Sequence, residues 1–165
     1  MANTRGFELR PYRPADADQV VDLSLSAWAP VFDSFRQILG ESLYSRVHPD
    51  WRGDQAASVR VAVGSNETWI AARAGAVLGF VNVVFDERQR SAEIHMIAVE
   101  PAEQRRGIGS ALTELALDEM RSRGITLAIV ATGGDPGHAP ARAAYEKAGF
   151  TGCPQVWYAK RLDRA

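Results

Sequence analysis

The stretch Glu93-Ile94-His95-Met96-Ile97-Ala98-Val99-Glu100-Pro101-Ala102-Glu103-Gln104-Arg105-Arg106-Gly107-Ile108-Gly109-Ser110-Ala111-Leu112 reads as a strand, a basic glycine turn and the opening of a long helix. A strand that feeds such a turn aims several backbone N–H groups and the positive end of the helix dipole at one point. That point suits an anion.

Upstream, Thr68–Ala72, Val77–Phe85 and Ser91–Val99, joined by turns at Ala74-Gly75 and Asp86-Glu87-Arg88, predict an antiparallel meander. Downstream, Ile108, Leu112, Leu115, Ala116 and Met120 line one face of a helix that stops at Arg121-Ser122-Arg123-Gly124, with cations in its last turn and glycine beyond. The apolar run Ile125–Ala131 predicts a strand covered on both faces. After the loop Thr132–Gly137, Pro140 suits the first turn of a helix running through Tyr145 to Gly149, and Gln155–Ala159 predicts a last strand. At the other end, Phe7–Pro11 predicts a first strand. Helices are expected from Pro14 to Pro30, from about Asp33 to Val47, and from Trp51 to the Gly64 region. There is no internal repeat or linker, so the expectation is one α+β layered domain over residues 1–165.

With 165 residues, 46% of them apolar, the chain can bury a real core. A net charge of -1 excludes a global field that would recruit nucleic acid or an anionic membrane, so any anion site is local. The single Cys153 leaves no internal disulfide and no cysteine cluster for a metal. The first ten residues carry no apolar run of signal-peptide length, and no later stretch is long enough to span a bilayer. A cytoplasmic protein is expected.

Three phosphate loops compete for Gly107-Ile108-Gly109. A nucleotide P-loop needs a lysine after its glycines, and none follows. The dinucleotide fingerprint needs a third glycine where Leu112 stands, and a βαβ unit where the meander lies. The remaining pattern, Gln/Arg-x-x-Gly-x-Gly/Ala, is matched by Gln104-Arg105-Arg106-Gly107-Ile108-Gly109 after Ile97-Ala98-Val99. This resembles the acyl-CoA pyrophosphate loop of the GNAT acetyltransferase superfamily. Ala143-Ala144-Tyr145-Glu146-Lys147-Ala148-Gly149-Phe150 resembles the family's second signature at the expected separation, and together they cover the C-terminal two-thirds of the chain.

The resemblance implies the GNAT fold: three layers, α/β/α, around a mixed, mostly antiparallel sheet whose parallel central strands splay apart. It also implies acetyl-CoA as acyl-donor cosubstrate, with no metal. Backbone N–H groups of Arg106 to Ser110, the Ser110 hydroxyl, and Arg105 or Arg106 would hold the pyrophosphate; one of these arginines is free to face water. Ile97, Ala98 and Val99 would pair with pantetheine across from Leu127–Ala131, and an N–H near Ile97 would stabilise the oxyanion. Tyr145 stands at the family's general-acid position. Seven residues earlier, where the family often has a cofactor-contacting asparagine, this chain has His138, whose ring nitrogen would make that contact with the cofactor. Gly133-Gly134 replaces a carboxylate of peptide-acetylating relatives, which points away from a ribosomal-protein substrate.

An alkylamine of pKa about 10.4 is neutral only about once in 2,500 molecules at pH 7, so a base that takes its proton accelerates attack. By the two-residue strand period, Glu93, His95, Ile97 and Val99 share one face, and either Glu93 or His95 is the candidate base. The alternative is an edge position where both meet solvent. Trp28, Phe32, Asp50 and Trp51 offer an aromatic wall with an acid for the acceptor amine, although such a stripe also suits a core. The leading reading is N-acetyl transfer to a primary amine of a small molecule by direct attack in a ternary complex. A protein lysine or N-terminal acetyltransferase and a non-catalytic acyl-CoA sensor are the alternatives. Trp157 and Tyr158 mark a candidate homodimer edge.

Overall fold

A computed structural model describes residues 6–163. Five strands, β1 (Glu8–Pro11), β2 (Glu67–Arg73), β3 (Ala76–Asp86), β4 (Ser91–Val99) and β5 (Leu127–Val130), form one sheet in chain order. All neighbours are antiparallel except β4 and β5, which run parallel. One face is covered by α1 (Ala17–Leu39) and α3 (Trp51–Ser65), the other by α4 (Ile108–Ser122). The short helices α2 (Glu41–Val47) and α5 (Ala139–Lys147) stand at the margins. This is the mixed, helix-flanked GNAT arrangement expected from the sequence.

Each layer follows from the spacing of apolar residues. Ile108, Leu112, Ala116 and Met120 put one stripe of α4 against Val81, Val83, Ala92 and Ile94. Val20, Val21 and Leu23 of α1 and Val59 and Val63 of α3 meet Ile70, Phe80 and Ala98 on the opposite face. Leu112 and Phe80 are wholly buried, each worth about 2 kcal/mol or more relative to exposure. Gly79 brings α4 this close, since a Cβ there would stand 2.9 Å from the Ala98 carbonyl oxygen and 3.1 Å from Leu112.

Pro30 does not end the first helix. α1 runs on to Leu39 with Pro30 inside it, and the break falls at Gly40, whose φ of 71° is open to glycine. Proline removes one helical N–H, but α1 is held along its length by α3, β3 and β4. Tertiary packing outweighs that one lost bond. The expected second helix, residues 33–47, is therefore the end of α1 followed by α2.

β5 also differs from expectation. Ala128 and Val130 pack on the α4 core, whereas Leu127 and Ile129 are exposed, so the strand is covered on one face. α5 packs mainly on the 3₁₀ turn that precedes it rather than forming a layer over β5. Residues 155–159 join no strand, and Val156, Trp157 and Tyr158 are exposed. The end of this segment is tied to α2 instead, through Arg161 to Ser42 (2.8 Å) and an Arg46–Asp163 ion pair.

β4 carries the feature that matters most for the site. Met96 stands opposite Asn82 and Ile94 opposite Val83, so His95 is an extra residue, a β-bulge. One inserted residue reverses the alternation. Ile97 and Val99 pack with Ala92 and Ile94 on the α4 face, and Met96 and Ala98 face the α1 layer. Glu93 alternates with Ala92 and Ile94 and thus does not share a face with Ile97 and Val99, contrary to the simple two-residue count.

Candidate active site

The pairing of β4 with β5 runs from Ser91↔Leu127 to Ile94↔Val130 and stops. From the His95 bulge to Val99 this edge of β4 has no strand partner, and a cleft of about 620 Å³ opens beside it. Its walls are β4 from Ile94 to Val99, the start of α4, the first turns of α5, and Ala27, Trp28, Pro30 and Val31 of α1.

At one end lies the glycine turn. Gly107 takes φ 84°, a left-handed conformation, and its carbonyl accepts the first α4 bond from Ala111 N–H at 3.0 Å. The N–H groups of Ile108, Gly109 and Ser110 precede that bond and have no acceptor within the helix. No acid stands in the first turn of α4. The Gln104 side chain donates to the Val99 carbonyl at 3.2 Å, tying the turn to the end of β4. Arg105, Gly107, Gly109 and Ser110 line the cleft with Gln104; Arg106 and Ile108 do not. Ile108 is core, and Arg106 lies 3.4 Å from Glu103, which also pairs with Arg73.

At the other end is Tyr145, on α5. It is buried, its ring meets Phe150 edge-on, and it lines the cleft. Burial pushes the phenol up to about 12, so the hydroxyl keeps its proton throughout the neutral range. His138, at the N-terminus of α5, also lines the cleft, and its Nδ1 bonds the Asp135 carboxylate. Burial raises Asp135, but hydrogen bonds with His138 and Ser34 outweigh it and leave the carboxyl below its ordinary value.

The β4 candidates separate. His95 lines the cleft; Glu93, half-buried, does not. The substrate candidates separate too. Trp28 lines the cleft, while Phe32 stacks on Trp51 (4.2 Å between centroids) in a cluster with Phe35, His48 and Tyr44. Trp51 and Asp50 border a second hollow of about 190 Å³. Asp50 caps α3 by accepting from Gly53 N–H at 3.1 Å. Within the ring cluster, burial pushes the His48 imidazole down, and its Nε2 is buried without a partner. Gln55, Pro30 and Thr132 also border the cleft and had drawn no attention in the sequence, Pro30 because it read as a helix end.

The sequence profile described as Acetyltransferase (GNAT) family matches residues 32–150. A mycothiol acetyltransferase of Beutenbergia cavernae is 44% identical over 61 residues, covering 37% of this chain and 20% of the relative. The curated relatives matched are all mycothiol acetyltransferases, and the chain spans between 18% and 38% of their length. Among solved structures, a nourseothricin acetyltransferase is 32% identical over 53% of this chain and 51% of its own, with a TM-score of 0.50. The PaiA N-acetyltransferase of Thermoplasma acidophilum, solved with coenzyme A, shares the fold at 16% identity, covering 88% and 89% of the two chains with a TM-score of 0.69.

Proposed function

Because this chain belongs to the acetyltransferase (GNAT) family, we propose that it transfers an acetyl group from acetyl-CoA to a primary amine of a small molecule, as one domain over residues 1–165. The observation that carries the reading is a single cleft lined by a helix N-terminus with its glycine turn, an open strand edge and the buried Tyr145.

The residues suit the cosubstrate end to end. A pyrophosphate meets the Ile108, Gly109 and Ser110 N–H groups, the Ser110 hydroxyl and the Arg105 charge, with no acid in the helix turn to repel it. An amide chain such as pantetheine finds the free backbone of Ile97, Ala98 and Val99. Bound acetyl-CoA supplies an activated thioester, which the amine attacks directly. The backbone near Ile97, beside the bulge, polarises the reacting carbonyl. Tyr145 gives its proton to the departing thiolate. Of the two β4 base candidates, His95 has the better position because it borders the cleft.

Support for a small acceptor comes from the mycothiol and nourseothricin acetyltransferases that the chain resembles, with Trp28 and Gln55 lining the cleft for it. We assign the protein to the cytoplasm; among the described residues no helix is long and apolar enough to cross a membrane. A second copy of the chain is the proposed partner of the open β5 edge, since residues 155–159 offer an unpaired apolar segment of matching length. Thiol release from acetyl-CoA across a panel of small amines tests the function. Turnover with at least one amine supports it, and CoA binding without turnover on any amine favours a sensor.

A further inference from the structure

The loop between β5 and α5 is built around two side chains. A Cβ on Gly133 would fall 2.4 Å from Asp135 Oδ1 and 2.5 Å from His138 Nδ1, so the carboxylate and the imidazole occupy the place of a side chain. A Cβ on Gly137 would stand 2.8 Å from Val31 Cα and 3.0 Å from the Pro30 carbonyl oxygen, which lets the loop lie directly on α1. Arg142 clamps the loop from α5, donating to the carbonyls of Gly133 (2.6 Å) and Asp135 (2.8 Å). Gly137 N–H donates to Asp135 Oδ2 at 2.9 Å and to Ser34 Oγ at 3.2 Å. Two glycines, an arginine and a serine thus fix one Asp–His pair.

The histidine of the pair reaches the cleft. The Asp135 side chain is 6% exposed and that of His138 17%, and His138 borders the cleft with Tyr145 of its own helix and Val31 of α1. It therefore stands at the seam between the cosubstrate wall and the wall assigned to the acceptor. With Nδ1 engaged by Asp135, the nitrogen left for the cleft is Nε2. The Phe35 ring packs beside the imidazole, 5.8 Å between centroids. His95 contrasts with this: it is exposed, and among the described residues no hydrogen-bond partner orients its ring.

We propose that His138, oriented by Asp135, is the base that takes the proton of the attacking amine. This rests on the acetyl-transfer reading above and replaces His95 in that role. The amine nitrogen bonds to the acyl carbon, and the C–S bond breaks. The amine proton moves to His138 Nε2, the Nδ1 proton stays between His138 and Asp135, and the thiolate takes the Tyr145 proton. His138 then releases its proton to solvent and Tyr145 regains one. Asp135 is a positioning residue: it holds the ring as the Nδ1–H tautomer and stabilises the imidazolium that forms. The charged and titratable neighbours are Asp135, the Arg142 guanidinium, Tyr145 and, across the cleft, His95.

The test uses the full chain and an amine turned over in the thiol-release screen. His138→Asn should lower kcat/KM for that amine by roughly 10² to 10⁴-fold, with CoA affinity nearly unchanged. Asp135→Asn should lower it less, because the ring loses the carboxylate that holds Nδ1, and Asp135→Glu should restore part of the rate. Independently of activity, nitrogen-detected NMR should find His138 as the Nδ1–H tautomer. Unchanged kcat/KM in His138→Asn, a loss confined to CoA affinity, or the Nε2–H tautomer overturns the dyad. Absence of turnover by the wild-type chain on every amine overturns the acetyl-transfer reading and the dyad's role with it.

Discussion

Ile94 on β4 stands opposite Val130 on β5, and this is the last pair before the two parallel strands part company. The next residue, His95, is the bulge. An irregularity in one strand and the end of pairing with its neighbour thus coincide, and together they open the backbone of residues 95–99 to the cleft.

The two arginines of the glycine turn should behave differently. Arg105 lines the cleft and Arg106 is engaged by Glu103 at its rim. Arg105→Ala should weaken CoA binding about five- to tenfold at low salt, less at high salt, since the charge acts near solvent. Arg106→Ala should change it less than twofold. Titration calorimetry at two ionic strengths separates them.

Tyr145 should show no ionisation in the working range. Its pKa is pushed up to about 12 by burial, so the neutral, proton-donating form persists below that value. The expected pH profile has no basic limb from this residue up to about pH 10, and Tyr145→Phe should lose on the order of 10² in kcat with little change in CoA affinity. A Phe variant with full turnover removes the general-acid role.

Trp28 and Asp50 give a further contrast. Trp28→Ala should raise the acceptor KM several-fold because the ring borders the cleft. Asp50→Ala should leave that KM alone and cost about 1 kcal/mol of stability, the usual worth of a helix N-cap. Urea unfolding beside acceptor kinetics reads both.

Asp16 makes stability depend on acid. The half-buried Arg10 guanidinium donates to it twice, at 2.8 and 2.7 Å, and Arg13 N–H donates at 2.8 Å. The Arg10 hydrogen bonds, partly opposed by burial, lower the Asp16 pKa. A depressed carboxyl pKa means its stabilisation is fully present above the unfolded value, about 3.9, and is lost as pH falls through the folded value. Asp16→Asn should cost about 2 kcal/mol at pH 7, since Arg10 keeps only the exposed Glu8, 3.7 Å away, as an ion partner, and the wild-type Tm should approach the variant's as the pH drops below about 4.

Most of the sheet, the glycine turn and α4 were legible in the sequence because their apolar periods are regular and their turns carry glycine. The misreadings share one cause, which is that contacts between distant residues override a local rule. Pro30 marks a helix end by local chemistry, yet α1 continues because α3 and the sheet hold both sides of it. The two-residue count along β4 fails at His95, since a bulge depends on the partner strand and leaves no mark in composition. That Phe32 and Trp51 form a ring stack and Asp50 caps a helix, apart from Trp28 at the cleft, follows from how α1, α2 and α3 meet and not from residue type. The Asp135–His138 pair lay in plain view three residues apart, but its link to Ser34 depends on α1 reaching the loop.

The central claim is that this cleft moves an acetyl group onto a small amine. Incubating the chain with acetyl-CoA and a panel of small primary amines, and quantifying acetylated product by mass spectrometry against free CoA, tests it most directly. The account predicts one acetylated amine for each CoA released, formed at least about 10²-fold more slowly by Tyr145→Phe and His138→Asn. CoA bound at the glycine turn with no acetylated amine from any member of the panel would contradict it.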